Sequence, residues 1–107
     1  MKKGEIWLVE LPGIDGHEQH GFRPAILIAD TLTSVVIVIP CTTNAQALRF
    51  PYTVRLRASE RNGFETDSIA LVLQIRAIDR ARLQRKIGIL EKSLLADINR
   101  VLQSLLF

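Results

Sequence analysis

Apolar positions follow two periods along this chain, and the switch between them divides it. The segment from Glu5 to Glu10 holds apolar residues between two glutamates and reads as a strand. Residues 24–29 and 34–39 are near-continuous apolar runs rich in β-branched side chains. They predict central strands joined by a short turn near 30–33. Residues 52–57 alternate, as a half-exposed strand does. Residues 68–73 form another buried run, 76–78 a short strand, and 86–90 a last one. Asp79 is placed to cap a single helical turn through Leu83. Near the end the period changes. Leu94, Leu95, Ile98, Val101, Leu102 and Leu105 fall at helical spacing and predict an amphipathic helix over 91–106. Residues 11–22, with Pro12, Gly13, Gly16 and Gly21, read as a long mobile loop. Residues 42–50 read as a second loop, and 58–67, with Asn62-Gly63, as a turn. Many short strands closed by one terminal helix predict a mainly β fold, a small barrel rather than a parallel α/β sheet.

The length of 107 residues bounds this to one domain over 1–107, and 48% hydrophobic residues suffice for a core without disulfide staples. Cys41 is the single cysteine, so no intramolecular disulfide forms, which fits a reducing cytoplasm. The start Met1-Lys2-Lys3 is basic, but the apolar run after it is short and broken by Glu5 and Glu10, unlike a signal peptide. No apolar run approaches the roughly 20 residues that span a bilayer.

The net charge of +3 is a weak pointer to nucleic acid; its distribution says more. Lys2, Lys3 and Arg23 precede residue 49, and the other eleven Lys and Arg follow from Arg49 to Arg100. Arg55 and Arg57 alternate with Val54 and Leu56 and so share a strand face, either solvated or tracking phosphates.

Candidate chemistry concentrates in Gly16-His17-Glu18-Gln19-His20-Gly21-Phe22-Arg23-Pro24-Ala25, a polar loop that runs into a strand. An arginine at a strand mouth is rigidly mounted, and its fork of donors fits phosphate oxygens. Pro24 restricts Arg23 to extended backbone and so fixes where the side chain departs. Thr42 and Thr43 follow Pro40-Cys41 at the next strand end. Their hydroxyls either donate to a phosphate or bond local backbone in a turn. His17 and His20 are three apart between glycines, not four apart on a helix as in a zincin, and with Cys41 they still lack a fourth ligand. No metal or other cofactor is expected. Phe22, Phe50, Tyr52 and Phe64 are stackers for bases or core residues, with Phe50 beside Arg49 the best placed to stack. Trp7 reads as core or dimer packing, and Cys41 as a small buried hydrophobe.

The segments Gly4-Glu5-Ile6-Trp7-Leu8-Val9, Gly-His-Glu-Gln-x-Gly-x-Arg-Pro, Pro40-Cys41-Thr42 and Gln74-Ile75-Arg76-Ala77-Ile78-Asp79 occur in that order. Together they resemble the MazF/PemK family, toxins of bacterial toxin–antitoxin pairs that cleave RNA. The resemblance spans nearly the whole chain. It implies a curled SH3-like sheet with helices, and a metal-independent endoribonuclease of the cytoplasm acting on single-stranded RNA. The 2′-hydroxyl would attack the neighbouring phosphate, leaving a cyclic phosphate and a 5′-hydroxyl.

By family position Arg23 and Thr42 are the catalytic pair. His17 matches a histidine of some members, and Glu18 either accepts a proton or orients Arg23. Gln19, Thr43, Phe50 and Gln74 are expected to contact RNA. The family also implies a homodimer, to which the helix carrying Leu94 and Leu105 would lend apolar surface, and a cognate antitoxin with a disordered tail in the RNA groove. One position departs from the pattern. Many relatives carry Asp or Glu before the Gln74 position, where this chain has Leu73. Two other readings share the fold. Leu73 mildly favours a non-catalytic interaction module, against Arg23 and Thr42; the loop from Gly16 to Pro24 speaks against a gyrase-directed toxin.

Overall fold

A computed structural model of the chain describes residues 1–11 and 21–107. The strands are β1 (Glu5–Glu10), β2 (Phe22–Asp30), β3 (Val35–Thr42), β4 (Thr53–Leu56), β5 (Ser68–Leu71), β6 (Arg76–Asp79) and β7 (Leu83–Ile89), followed by helix α1 (Lys92–Leu106). Short 3-10 turns occupy Ala45–Arg49, Val72–Gln74 and Arg80–Arg82. All pairings are antiparallel, in the order β4-β5-β3-β2-β1-β7, with β6 also on β3.

The sheet divides along β3. Residues 35–38 of β3 pair with β6, whereas Cys41 and Thr42 pair with β5. Pro40 stands between the two ladders and has no N–H to give to either. The chain crosses from β5 to β6 through the 3-10 turn Val72–Gln74. The result is a curled, barrel-like sheet. It stays open, because its end strands β4 and β7 do not pair with each other among the described residues.

Side-chain alternation sends the apolar runs to two faces. Ile6, Ile26, Ile39, Leu56, Ala70 and Val72 form the core beneath α1, where Ile98 is fully buried. Val9, Ala25, Leu27, Val36, Val38 and Ile78 form a second core on the other face, with Trp7 and Leu83 against it. Burial on both faces explains why β2 and β3 read as continuous apolar runs. Leu94, Leu95, Val101, Leu102 and Leu105 pack on the first core. The helix therefore packs its apolar stripe within its own chain, and of the large apolar residues here only Leu106 and Phe107, at its end, are strongly exposed.

A buried polar knot fixes α1 to the sheet. Asn62 is fully buried. Its Nδ2 donates to the Arg57 carbonyl at 2.9 Å and to Glu91 Oε1 at 3.0 Å, and its Oδ1 accepts from the N–H groups of Ser59 and Phe64. Ser59 Oγ donates to Glu91 Oε2 at 2.5 Å. Burial pushes the Glu91 carboxyl up, but hydrogen bonds from Ser59, from its own backbone N–H and from Asn62, together with the charge of Arg61, hold it below its ordinary value. Gly63, at φ 76°, and Gly88 allow this turn to lie against β7.

Several boundaries differ from the sequence reading. Residues 42–50 are not an unbroken loop: Thr42 ends β3, and Asn44 caps the 3-10 turn Ala45–Arg49 by accepting the Gln46 N–H at 3.0 Å. The strand expected over 68–73 stops at Leu71, and β7 begins at Leu83 rather than at residue 86. Asp79 does cap a helical turn, accepting the Ala81 N–H at 2.8 Å. The loop expected over 11–22 falls mostly outside the described residues. No helix among the described residues is long and apolar enough to cross a membrane.

Candidate active site

A cleft of about 360 Å³ opens where the sheet divides. Arg23 enters it from the start of β2, Thr42 from the end of β3, and Gln74 from the crossover between β5 and β6. Phe50 lies just past the 3-10 turn Ala45–Arg49 and completes the set. The β2–β3 register pairs Ala25 with Pro40 and Ile26 with Ile39. Continued toward the strand ends, it brings Arg23 level with Thr42.

The walls differ in character. Ala47, Leu71 and Leu73 are apolar, whereas Asn44, Gln46 and Gln74 supply amides. Arg23 and Arg49 make the cleft cationic, and no carboxylate lines it among the described residues. Phe50 is 55% exposed, so its ring is available to a ligand. Thr42 Oγ1 accepts the Asn44 N–H at 3.2 Å. The local turn chemistry that competes with a phosphate role is thus present, but it uses only a lone pair of the hydroxyl.

Thr43 goes elsewhere. It lines a separate hollow with Pro24, Phe64 and Arg85. Neighbouring residues of extended chain send their side chains to opposite sides, so Thr42 and Thr43 do not share a site. Phe64 is core, and Phe22 flanks another hollow with Glu10 and Arg82. Burial pushes the Cys41 thiol well up, which makes it inert as a nucleophile at neutral pH. His17, Glu18, Gln19 and His20 lie outside the described residues. Sequence reasoning missed Asn44, Gln46 and Arg49 as cleft residues. Asn44, two residues after a strand end, carried a capping signal that announces a turn there.

The family model for the PemK-like, MazF-like toxin of type II toxin-antitoxin systems matches residues 2–106. Endoribonuclease EndoA of Bacillus subtilis is 34% identical over 107 residues, covering 96% of this chain and 91% of that protein. The crystal structure of MazF (Form-I) from Deinococcus radiodurans superposes with a TM-score of 0.77 at 25% identity, covering 99% of this chain and 96% of the other. The crystal structure of MazE-MazF (Form-II) from the same organism gives 0.78 at 26% identity, covering 99% and 95%. This chain belongs to the PemK-like, MazF-like toxin family of type II toxin-antitoxin systems.

Proposed function

We propose that this chain is a metal-independent endoribonuclease that cuts single-stranded RNA at the cleft between Arg23 and Thr42. One observation carries the reading: a forked cation and a hydroxyl donor from adjacent strand ends line one cationic cleft beside an exposed aromatic ring. The 2′-oxygen attacks the adjacent phosphorus, the bond to the 5′-oxygen breaks, and the products carry a 2′,3′-cyclic phosphate and a 5′-hydroxyl. Arg23 stabilises negative charge on the phosphorane oxygens, and Thr42 donates to a phosphate oxygen or to the departing oxygen. A guanidinium, protonated at all ordinary pH, is a poor base. Glu18 or His17 takes the 2′-hydroxyl proton, and a proton from solvent or a second acid completes the leaving group. Gln74 and Gln19 contact bases, and Phe50 stacks on one. Thr43 takes part only through RNA that continues past the cleft.

The relatives named EndoA and MazF support an RNA substrate, and the MazE-MazF structure supports an antitoxin as partner. An antitoxin segment occupies the same cleft and so competes with RNA. The toxin works in the cytoplasm as a homodimer. Leu73 in the cleft wall favours a second reading, a binding module that holds RNA without cutting it.

The experiment is incubation of the purified protein with a long single-stranded RNA in excess EDTA, with analysis of the product ends. Discrete fragments bearing cyclic phosphates are expected. Intact RNA that is nevertheless bound would establish the second reading. Activity lost to EDTA and restored by a metal would overturn metal independence.

A further inference from the structure

We infer that Arg49 is a second phosphate-holding residue, gripping the RNA phosphate next to the one at Arg23 while the intervening base lies on Phe50. This rests on the endoribonuclease reading above. Arg49 ends the 3-10 turn Ala45–Arg49, and its exposed side chain lines the same cleft as Arg23. The turn is a firm mount. Asn44 caps it, the Ala47 N–H donates to the Asn44 carbonyl at 3.0 Å, and the Phe50 N–H donates to the Ala47 carbonyl at 3.1 Å. Past the turn, Thr53 Oγ1 donates to the Phe50 carbonyl at 3.1 Å.

Tyr52 adds a constraint. It adopts left-handed backbone at φ 57°, a conformation unfavourable for a bulky residue, and its carbonyl accepts the Leu73 N–H at 3.2 Å. That bond ties the wall bearing Arg49 and Phe50 to the wall bearing Leu73 and Gln74. The cleft therefore gathers two guanidinium side chains and an exposed aromatic ring, the ring and Arg49 on anchored backbone, with Ala47, Leu71 and Leu73 as apolar lining. A nucleic-acid strand presents successive phosphates with a base between them, a demand that two cations and one ring in a single cleft can meet. Stacking of a base on an aromatic ring flanked by cations is how sequence-tolerant single-strand sites are built.

The test compares wild type, Arg49→Gln, Arg49→Lys and Arg61→Gln, the last removing the same charge from the turn beside β7. Each is assayed for cleavage of an RNA oligonucleotide and for binding of its fully 2′-O-methylated, uncleavable form across a salt series. Arg49→Gln should raise KM and Kd about 3- to 10-fold with kcat within about 2-fold of wild type. It should make the slope of log Kd against log salt shallower by about 0.7, one phosphate contact fewer. Arg49→Lys should fall between, and Arg61→Gln should match wild type. A neutral methylphosphonate at one phosphate should weaken wild type and leave Arg49→Gln without further loss. An Arg49→Gln protein with wild-type KM, Kd and salt slope overturns the inference. So does additive loss with the methylphosphonate at every position. If no variant or wild type cuts RNA but binding still depends on Arg49, the cleavage reading falls and the phosphate contact stands.

Discussion

The hydroxyl oxygen of Thr42 accepts the backbone N–H of Asn44, which turns the chain out of β3 and into the wall of the cleft. The bond orients the side chain and leaves the hydroxyl proton for an outside acceptor. Thr42→Ser should keep both features and retain kcat within about 10-fold, whereas Thr42→Ala and Thr42→Val should lower it on the order of 100-fold. Single-turnover cleavage rates decide this. Full kcat in Thr42→Val would remove Thr42 from the chemistry.

Phe50 is exposed at the cleft, and stacking on a base is worth about 1–3 kcal/mol. Phe50→Ala should weaken binding of a single-stranded RNA by that amount, and Phe50→Trp should preserve it. An oligonucleotide series with one abasic nucleotide at successive positions should contain one member that binds wild type and Phe50→Ala equally. A uniform loss across the series would place the Phe50 effect in packing instead.

Asp30 tests the fold at low pH. Arg80 Nη2 reaches Asp30 Oδ1 at 2.5 Å and Nη1 reaches Oδ2 at 3.2 Å. The guanidinium and then the Leu32 N–H hold the Asp30 carboxyl down from 3.8 to about 2. A carboxyl depressed in the folded state stabilises the protein above its unfolded value and ceases to do so as pH falls through the folded one. Stability should therefore decline between about pH 4 and pH 2 in part through this group. Asp30→Asn should lower Tm at pH 6 and flatten the decline in that window. An identical acid profile in Asp30→Asn would contradict the assignment.

Gly88 tests the seat of the 58–67 turn. A Cβ there would lie 2.3 Å from the backbone carbon and oxygen of Asn62. Backbone cannot give way as a flexible side chain can, so Gly88→Ala should cost about 3 kcal/mol in urea unfolding. Gly21, with open space around its Cβ position, serves as the control and should tolerate alanine.

The parts of this fold legible in the sequence are those where burial leaves a periodic trace. Strand β1 matches its expected limits because glutamates bound its apolar residues. Helix α1 was legible because its buried side chains recur every three to four positions. The end of β5 was not, because Ser68, Ile69, Ala70, Leu71 and Val72 are all buried although the ladder stops at Leu71. Apolar patterning records burial, not which backbone groups pair. At the cleft, the pairing of Arg23 with Thr42 at neighbouring strand ends is legible in the sequence, whereas the arrival of Phe50 and Gln74 beside them depends on β3 changing partner at Pro40. Pro40 marks a break in the ladder, but nothing local announces which strand takes over after it. The place of Arg49 in the cleft is not legible, because a five-residue turn has too few positions to show a period.

The most direct measurement is the single-turnover cleavage rate of a defined RNA oligonucleotide and of its counterpart with one 2′-deoxy substitution at the cleaved nucleotide, each with wild type, Arg23→Lys and Arg23→Ala. Wild type should cut the RNA and spare the 2′-deoxy bond while binding both oligonucleotides. Arg23→Ala should lose roughly 100- to 1000-fold in rate with its fold intact, and Arg23→Lys should recover little, since a point charge cannot reproduce the fork. Cutting at the 2′-deoxy bond, or an Arg23→Ala protein as fast as wild type, would contradict it.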